Sequence, residues 1–235
     1  MEKLSLTLSV HSVGPNAVMF YLPEPIQETY PVILHELSQQ LTRSGVIDCV
    51  IAYHSLLVIF DPLRQDIHQL SLLLNQALPQ AMHRATLARQ QNLIKIPVCY
   101  AAPFAPDLIE VAKQGNLTVN EVILCHTQKT YQVCCLGFIP GFAFLGYVDD
   151  QIATPRRAEP RRHIAQGSVG IAGRQTGIYP EESPGGWQII GRTPKRLYDP
   201  AHGLISCFEM GDRVQFYAIS MDEFKEWERQ YQRPQ

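Results

Sequence analysis

Apolar and polar positions change rhythm part-way along this chain. LSLTLSVH at 4–11 alternates, and AVMFYL at 17–22 is apolar and aromatic, so both predict strands. Between them SVGPN, with Gly14, Pro15 and Asn16, predicts a turn. Over 26–43 the spacing of Leu34, Leu37 and Leu41 makes one apolar stripe and predicts a helix, with Gly45 just past its end. VIDCVIAYHS and SLLVIFDP follow as two adjacent strands. Residues 66–82 predict a second helix, with Ile67, Leu70, Leu74 and Leu78 on one face, and NLIKIPV returns as a strand. Strand, helix, two strands, helix, strand is the split βαβ order of a ferredoxin-like domain.

Over 84–97 the stripe is lost in RATLARQQN, which places a boundary between a ferredoxin-like domain at 1–90 and a second domain at 91–235. The second domain opens with a short helix at 106–113 ended by Gly115. Thr118 followed three residues later by Glu121 is the signature of a capping box for another. His126 falls near the C-terminus of that helix, where the dipole favours a protonated imidazole and predicts a raised pKa. From Tyr131 onward short runs (YQVCCLGF, SVGIAG, GWQIIG, RVQFYAI) alternate with Gly and Pro, which predicts a β-barrel or sandwich. DEFKEWERQYQR predicts a terminal helix. The fold class expected is α+β, with the β-rich domain second.

Composition narrows the class. Of 235 residues 46% are hydrophobic, enough for real cores, and 20 basic against 22 acidic residues leave a net charge of −2. That balance predicts no general attraction to nucleic acid or to an anionic membrane. No apolar run approaches the ~18 residues of a membrane span, and MEKLSLTLSVHSVG lacks the pattern of a secretory leader, so a cytoplasmic location is expected. The six cysteines form no C-x-x-C pair and are expected to be reduced thiols, with no metal site.

Three stretches carry candidate chemistry. GFIPGFAFLGY at 137–147 sets Phe138, Pro140, Phe142 and Phe144 among glycines, either as a pocket wall or partner interface or as a packed loop. TPRRAEPRRHI at 154–164 puts Arg156, Arg157, Arg161 and Arg162 within seven residues. Their forks suit a carboxylate or phosphate, with Glu159 as the alternative internal partner. Gln166 to Pro194 holds seven glycines and three prolines, with Gln175, Thr176, Tyr179, Ser183 and Arg192 among the turns. It contains neither a G-K-[ST] phosphate loop nor a dinucleotide fingerprint, so nucleotide binding by this chain alone is not expected.

GFIPGFAFLGY, PRRAEPRRHIAQGSVGIAGRQTGIYPEESPGGWQIIGRTP and MGDRVQFYAIS together resemble the allophanate hydrolase subunit 1 family, which includes the B subunits of 5-oxoprolinases and the kinase inhibitor KipI. The resemblance implies a ferredoxin-like domain followed by a cyclophilin-like β-barrel. It implies two partners, a C subunit similar to allophanate hydrolase subunit 2 and an A subunit of the LamB/YcsF kind. It implies ATP with Mg, bound together with the partner, as co-substrate for opening the lactam of 5-oxoproline to glutamate. The isolated chain would be inactive. On the matching positions, His126, Arg156 and Arg161 become catalytic candidates, and Gln175, Thr176, Tyr179 and Arg192 substrate-binding ones. Two other roles follow from the same family. One is a KipI-like regulator that binds a proline-containing segment on the Phe138, Phe142 and Phe144 wall. The other is a component of biotin-linked urea breakdown, although the chain has no M-K-M biotinyl context. The chain departs from the family's usual Y-G-G-E-x-G-P-D-L at CYAAPFAPDL, from LGG at LGY 145–147 and from VPAGSV at IAQGSV 164–169.

Overall fold

A computed structural model describes residues 6–87 and 93–232. The chain divides into two units, Met1–Gln91 and Asn92–Gln235.

The first unit is a four-stranded antiparallel sheet with two helices. Strands β1 (Ser9–Gly14) and β2 (Ala17–Tyr21) form a hairpin around Pro15 and Asn16. Helix α1 (Tyr30–Arg43), strands β3 (Asp48–Ala52) and β4 (Ser55–Ile59) and helix α2 (Ile67–Leu87) follow. Helix α1 starts later than the periodicity predicts, because Pro31 has no N–H to donate and is accommodated in a first turn rather than in a helix interior. The sheet order is β1-β2-β4-β3. Strands β2 and β3 therefore run parallel with β4 between them, the split βαβ arrangement. Val18, Phe20, Leu56 and Val58 alternate inward onto the predicted stripes, Leu34, Leu37 and Leu41 of α1 and Leu70, Leu74 and Leu78 of α2. One expectation is corrected: the strand at NLIKIPV does not close this sheet. β1 already fills the place beside β2, and the later strand enters the second unit.

That strand is β5 (Leu93–Cys99), followed by helices α3 (Leu108–Gln114) and α4 (Val119–Gln128). The capping box is formed: Thr118 Oγ1 accepts from the Glu121 N–H, and the Glu121 carboxylate accepts from the Thr118 N–H. Then come β6 (Thr130–Leu136), β7 (Ala143–Leu145), β8 (Arg161–Ile164), β9 (Ser168–Ala172), β10 (Gln175–Ile178), β11 (Ser183–Gly185), β12 (Gln188–Arg192), β13 (Arg213–Ile219) and α5 (Met221–Gln232). Seven strands close a barrel in the order β10-β7-β6-β13-β5-β12-β9, and β8 and β11 pair apart from it. Ile96, Val98, Val133, Leu145, Val169, Ile171, Ile190, Val214 and Phe216 belong to its buried core. Gly191 lets β12 approach β5: a Cβ there would sit 2.6 Å from Val98 Cγ1. Phe142, Ile164, Tyr179, Trp187 and Ile189 form a second, smaller core. The α+β class, with a sheet-and-helix unit followed by a closed barrel, is the one the sequence predicts.

Candidate functional site

The residues predicted from sequence fall into distinct settings in the barrel unit. The first is the interior. His126, on the last turn of α4, is fully buried. Its ring stacks on Phe216 with centroids 4.4 Å apart, and its two nitrogens face Tyr100 Oη at 2.7 Å and Thr176 Oγ1 at 3.0 Å. The raised pKa expected from the helix C-terminus is overturned. Burial lowers it to about 3, because desolvating an imidazolium outweighs the pull of the dipole. A neutral imidazole sealed among ring and hydroxyl groups is not presented to a ligand. Thr176, also fully buried, donates to the Gly170 carbonyl and points into the barrel interior.

The second setting is a charged clasp outside the barrel interior, centred on a residue that sequence reasoning missed. Asp107 precedes α3 and is 4% exposed. Its carboxylate accepts from Arg161 at 2.8 and 2.7 Å through both fork nitrogens, from Arg157 Nη1 at 3.0 Å and from the Ile189 N–H at 2.6 Å. The Asp107 N–H in turn donates to the Ile189 carbonyl. Asp107, rather than the exposed Glu159, is thus the internal partner of the arginine cluster. The signal was the P-D-L at 106–108, which keeps the family form inside an otherwise departing stretch. Two guanidinium groups share one carboxylate, so the clasp carries an excess positive charge. Arg156 is exposed at its edge.

Tyr179 adjoins the clasp. Burial pushes its hydroxyl up to about 12, opposed by a backbone hydrogen bond from Trp187 and by the charges of Arg156 and Arg161. Gly185 is required beside it, since a Cβ there would overlap Tyr179 Oη. The structure thus brings Arg156, Arg161 and Tyr179 together. Arg192 lies elsewhere: its Nε donates to the Gln166 carbonyl at 2.8 Å and its guanidinium covers the Phe104 ring at 5.5 Å. Gln175 opens β10 opposite Ala172, half-buried at the hairpin.

The third setting is the glycine-aromatic loop. Phe138 has φ +77° and is 60% exposed. With Pro140, Phe142 and Ile205 it lines an open depression of about 390 Å³. Phe144 instead packs into the smaller core, against Phe142 at 4.8 Å and Trp187 at 6.0 Å. Among the described residues no cluster of three or more His, Cys, Asp or Glu is placed to hold a metal, and no helix is long and apolar enough to cross a membrane.

A family profile matches the sequence across most of both units. The chain belongs to the family "Carboxyltransferase domain, subdomain C and D", whose profile covers residues 8–206. Within it the chain is similar to the 5-oxoprolinase B subunit of Bacillus subtilis (strain 168), with 37% identity covering 94% of this chain and 97% of that one. It is similar to the 5-oxoprolinase B subunit of Escherichia coli O157:H7, with 36% identity covering 87% and 93%. The solved structure of TTHA0988 superposes with a TM-score of 0.73 and 32% identity over 90% of this chain and 40% of that longer chain.

Proposed function

We propose that this chain is the B subunit of an ATP-dependent 5-oxoprolinase, which with its C and A subunits opens the lactam of 5-oxoproline to glutamate. The observation that carries this reading is the near end-to-end similarity to the Bacillus subtilis B subunit. The chemistry asks for a particular electrostatic environment. A five-membered lactam is a poor electrophile, and transfer of the γ-phosphoryl group of ATP to its oxygen, with ADP departing, makes that oxygen a leaving group. Water then adds at the carbonyl carbon, the C–N bond opens with a proton passing to the departing amine, and a second water displaces phosphate from the acyl phosphate so formed to give glutamate. Phosphate and carboxylate charge must be stabilised together.

In this reading the clasp supplies the positive field. Arg161 and Arg157 are held by Asp107, so the exposed Arg156 is the guanidinium available to a ligand's anionic group, while Tyr179 stays buried in the adjoining smaller core. ATP and Mg are co-substrates of the complex, and the C subunit supplies the remainder of their pocket. The Phe138 loop is the proposed contact with that partner. A large exposed aromatic held at positive φ costs conformational energy and, with most of its surface in water, gains little from burial. The test is co-expression with candidate C and A subunits, followed by ATP turnover with and without 5-oxoproline. Turnover stimulated by 5-oxoproline only when all three chains are present is expected; full turnover by the two partners without this chain would reject the assignment.

A further inference from the structure

Four groups stand in a row through the barrel interior: Tyr100 Oη, the two nitrogens of His126, Thr176 Oγ1 and the Gly170 carbonyl, separated by 2.7, 3.0 and 2.9 Å. Tyr100 is 7% exposed and His126 and Thr176 are fully buried, so protein groups must satisfy these protons. A neutral imidazole has one N–H and one acceptor nitrogen, and the two ways of placing that proton are not equivalent. With the proton on Nε2, Tyr100 donates to Nδ1, Nε2–H donates to Thr176 Oγ1, and the Thr176 hydroxyl donates to the Gly170 oxygen. All three hydrogens find acceptors. With the proton on Nδ1 the row reverses. Nδ1–H points at Tyr100 Oη, the Thr176 hydroxyl must turn to Nε2, and the Tyr100 hydrogen loses its acceptor in the row. An unmade hydrogen bond in such a site costs more than the average made one returns.

We propose that His126 is fixed as the Nε2–H tautomer in a one-way row of hydrogen bonds running from Tyr100 to the Gly170 carbonyl, and that it is a positioning residue for β10 rather than an acid or base. Through this row, α4 and the residue following β5 hold Thr176, whose strand leads to Tyr179 beside the clasp. The titratable groups facing the ring are phenols, Tyr100 after β5 and Tyr131 on β6, while Phe216 on β13 covers its face. Tyr131 Oη donates to the His126 carbonyl, anchoring the backbone rather than the ring. The tautomer stands on geometry alone; the positioning role rests on the proposed function.

The test is nitrogen NMR of the full chain with labelled histidine, the His126 signals being assigned by their loss in His126→Gln. The expected result is a proton bonded to Nε2 and an unprotonated, hydrogen-bonded Nδ1, unchanged from pH 8 to pH 5 while exposed histidines titrate. In Tyr100→Phe the Nδ1 signal shifts and the Nε2 proton stays. A proton on Nδ1, or titration of His126 in that range, overturns the proposal whatever the complex does. In the reconstituted complex, His126→Gln, which keeps an N–H donor, is expected to lower kcat less than about tenfold without changing the pH profile. A loss of about 10²–10⁴-fold together with a vanished limb of the pH profile marks an acid–base role and overturns the positioning half. A wild-type complex without activity would reject the proposed function and leave the tautomer to be decided by NMR.

Discussion

The interior of the barrel and its outer clasp solve the same problem, a buried polar cluster, in opposite ways. Inside, Tyr100, His126 and Thr176 are neutral, and each hydrogen is passed to the next acceptor. Outside, Asp107 is 5% exposed at its side chain but is bound to two arginines whose side chains remain 25% and 36% exposed. A neutral row incurs a small desolvation penalty and can be sealed completely. An ionic cluster is tolerable only because its cations stay partly solvated while the anion is saturated with donors. The barrel unit therefore keeps these charges where water can still reach them and excludes charge from its interior.

Removing the anion is the most severe way to break this contrast. Asp107→Ala leaves Arg157 and Arg161 without their partner and the Ile189 N–H without an acceptor. A loss of about 2–4 kcal/mol in urea unfolding is expected, from the unsatisfied Ile189 N–H and the lost charge-assisted bonds, because the arginines left behind stay partly hydrated. A loss below about 1 kcal/mol would show that the clasp behaves as a surface ion pair. The interior is tested by His126→Phe, which keeps the stacking on Phe216 and removes the acceptor for the Tyr100 hydroxyl. Thr176 keeps its bond to Gly170, so about 1–3 kcal/mol is expected from the same measurement.

Acid sharpens the comparison further. His126 has a folded pKa of about 3, against about 6.5 in the unfolded chain. Between those values the unfolded state binds a proton that the folded state refuses, so stability falls as pH drops below about 6.5. At pH 5 this residue alone is expected to remove about 2 kcal/mol relative to pH 8. Because the phenylalanine that replaces the imidazole in His126→Phe cannot titrate, the stability gap between wild type and that variant should narrow by the same amount in urea titrations at the two pH values. A gap that does not change with pH would mean that the buried ring takes up its proton over the same pH range in the native and the unfolded chain.

How much of this is legible in the sequence follows from the range of the interactions. The stripes of Leu34, Leu37 and Leu41 and of Leu70, Leu74 and Leu78 are local patterns, and they mark the helix faces that the core uses. The capping box is local too, and Thr118 and Glu121 form it. The destination of β5 is not legible: alternation marks a strand but does not name its neighbour, and β5 pairs in parallel with β13 near the end of the chain. The clasp is half legible. Four arginines in seven residues advertise positive charge, but their carboxylate lies 50 and 54 residues away from Arg157 and Arg161, in a segment whose other residues stand out as departures. The charge state of His126 is hidden for a related reason. The helix dipole is visible in sequence, while the desolvation that overrides it depends on Phe216, Tyr100 and Thr176 arriving from distant strands.

The smallest expected effect on stability is also the sharpest test of what the surface loop is for. Phe138 and Phe142 are four residues apart and touch edge to face at 5.5 Å, yet Phe142 is 2% exposed and Phe138 is 60% exposed at φ +77°. Phe138→Gly gives up that contact and one with Tyr179 at 6.5 Å, together worth about 0.5–1.5 kcal/mol. Glycine also adds backbone freedom to the unfolded chain, worth about 0.5–1 kcal/mol. Against these stands relief of a left-handed conformation that costs a bulky residue about 1–3 kcal/mol. The terms nearly cancel, so urea unfolding of Phe138→Gly should stay within about 1 kcal/mol of wild type. If the loop docks on the C subunit, the same substitution removes an aromatic anchor, and such anchors are worth about 2 kcal/mol or more. Calorimetric titration with that partner should then show affinity reduced about 30-fold or more in a variant that is otherwise normally folded. Unchanged affinity would remove the loop from the interface and leave the strain at Phe138 without a function, whereas a variant that loses several kcal/mol of stability would show that Phe138 belongs with Phe142 as packing.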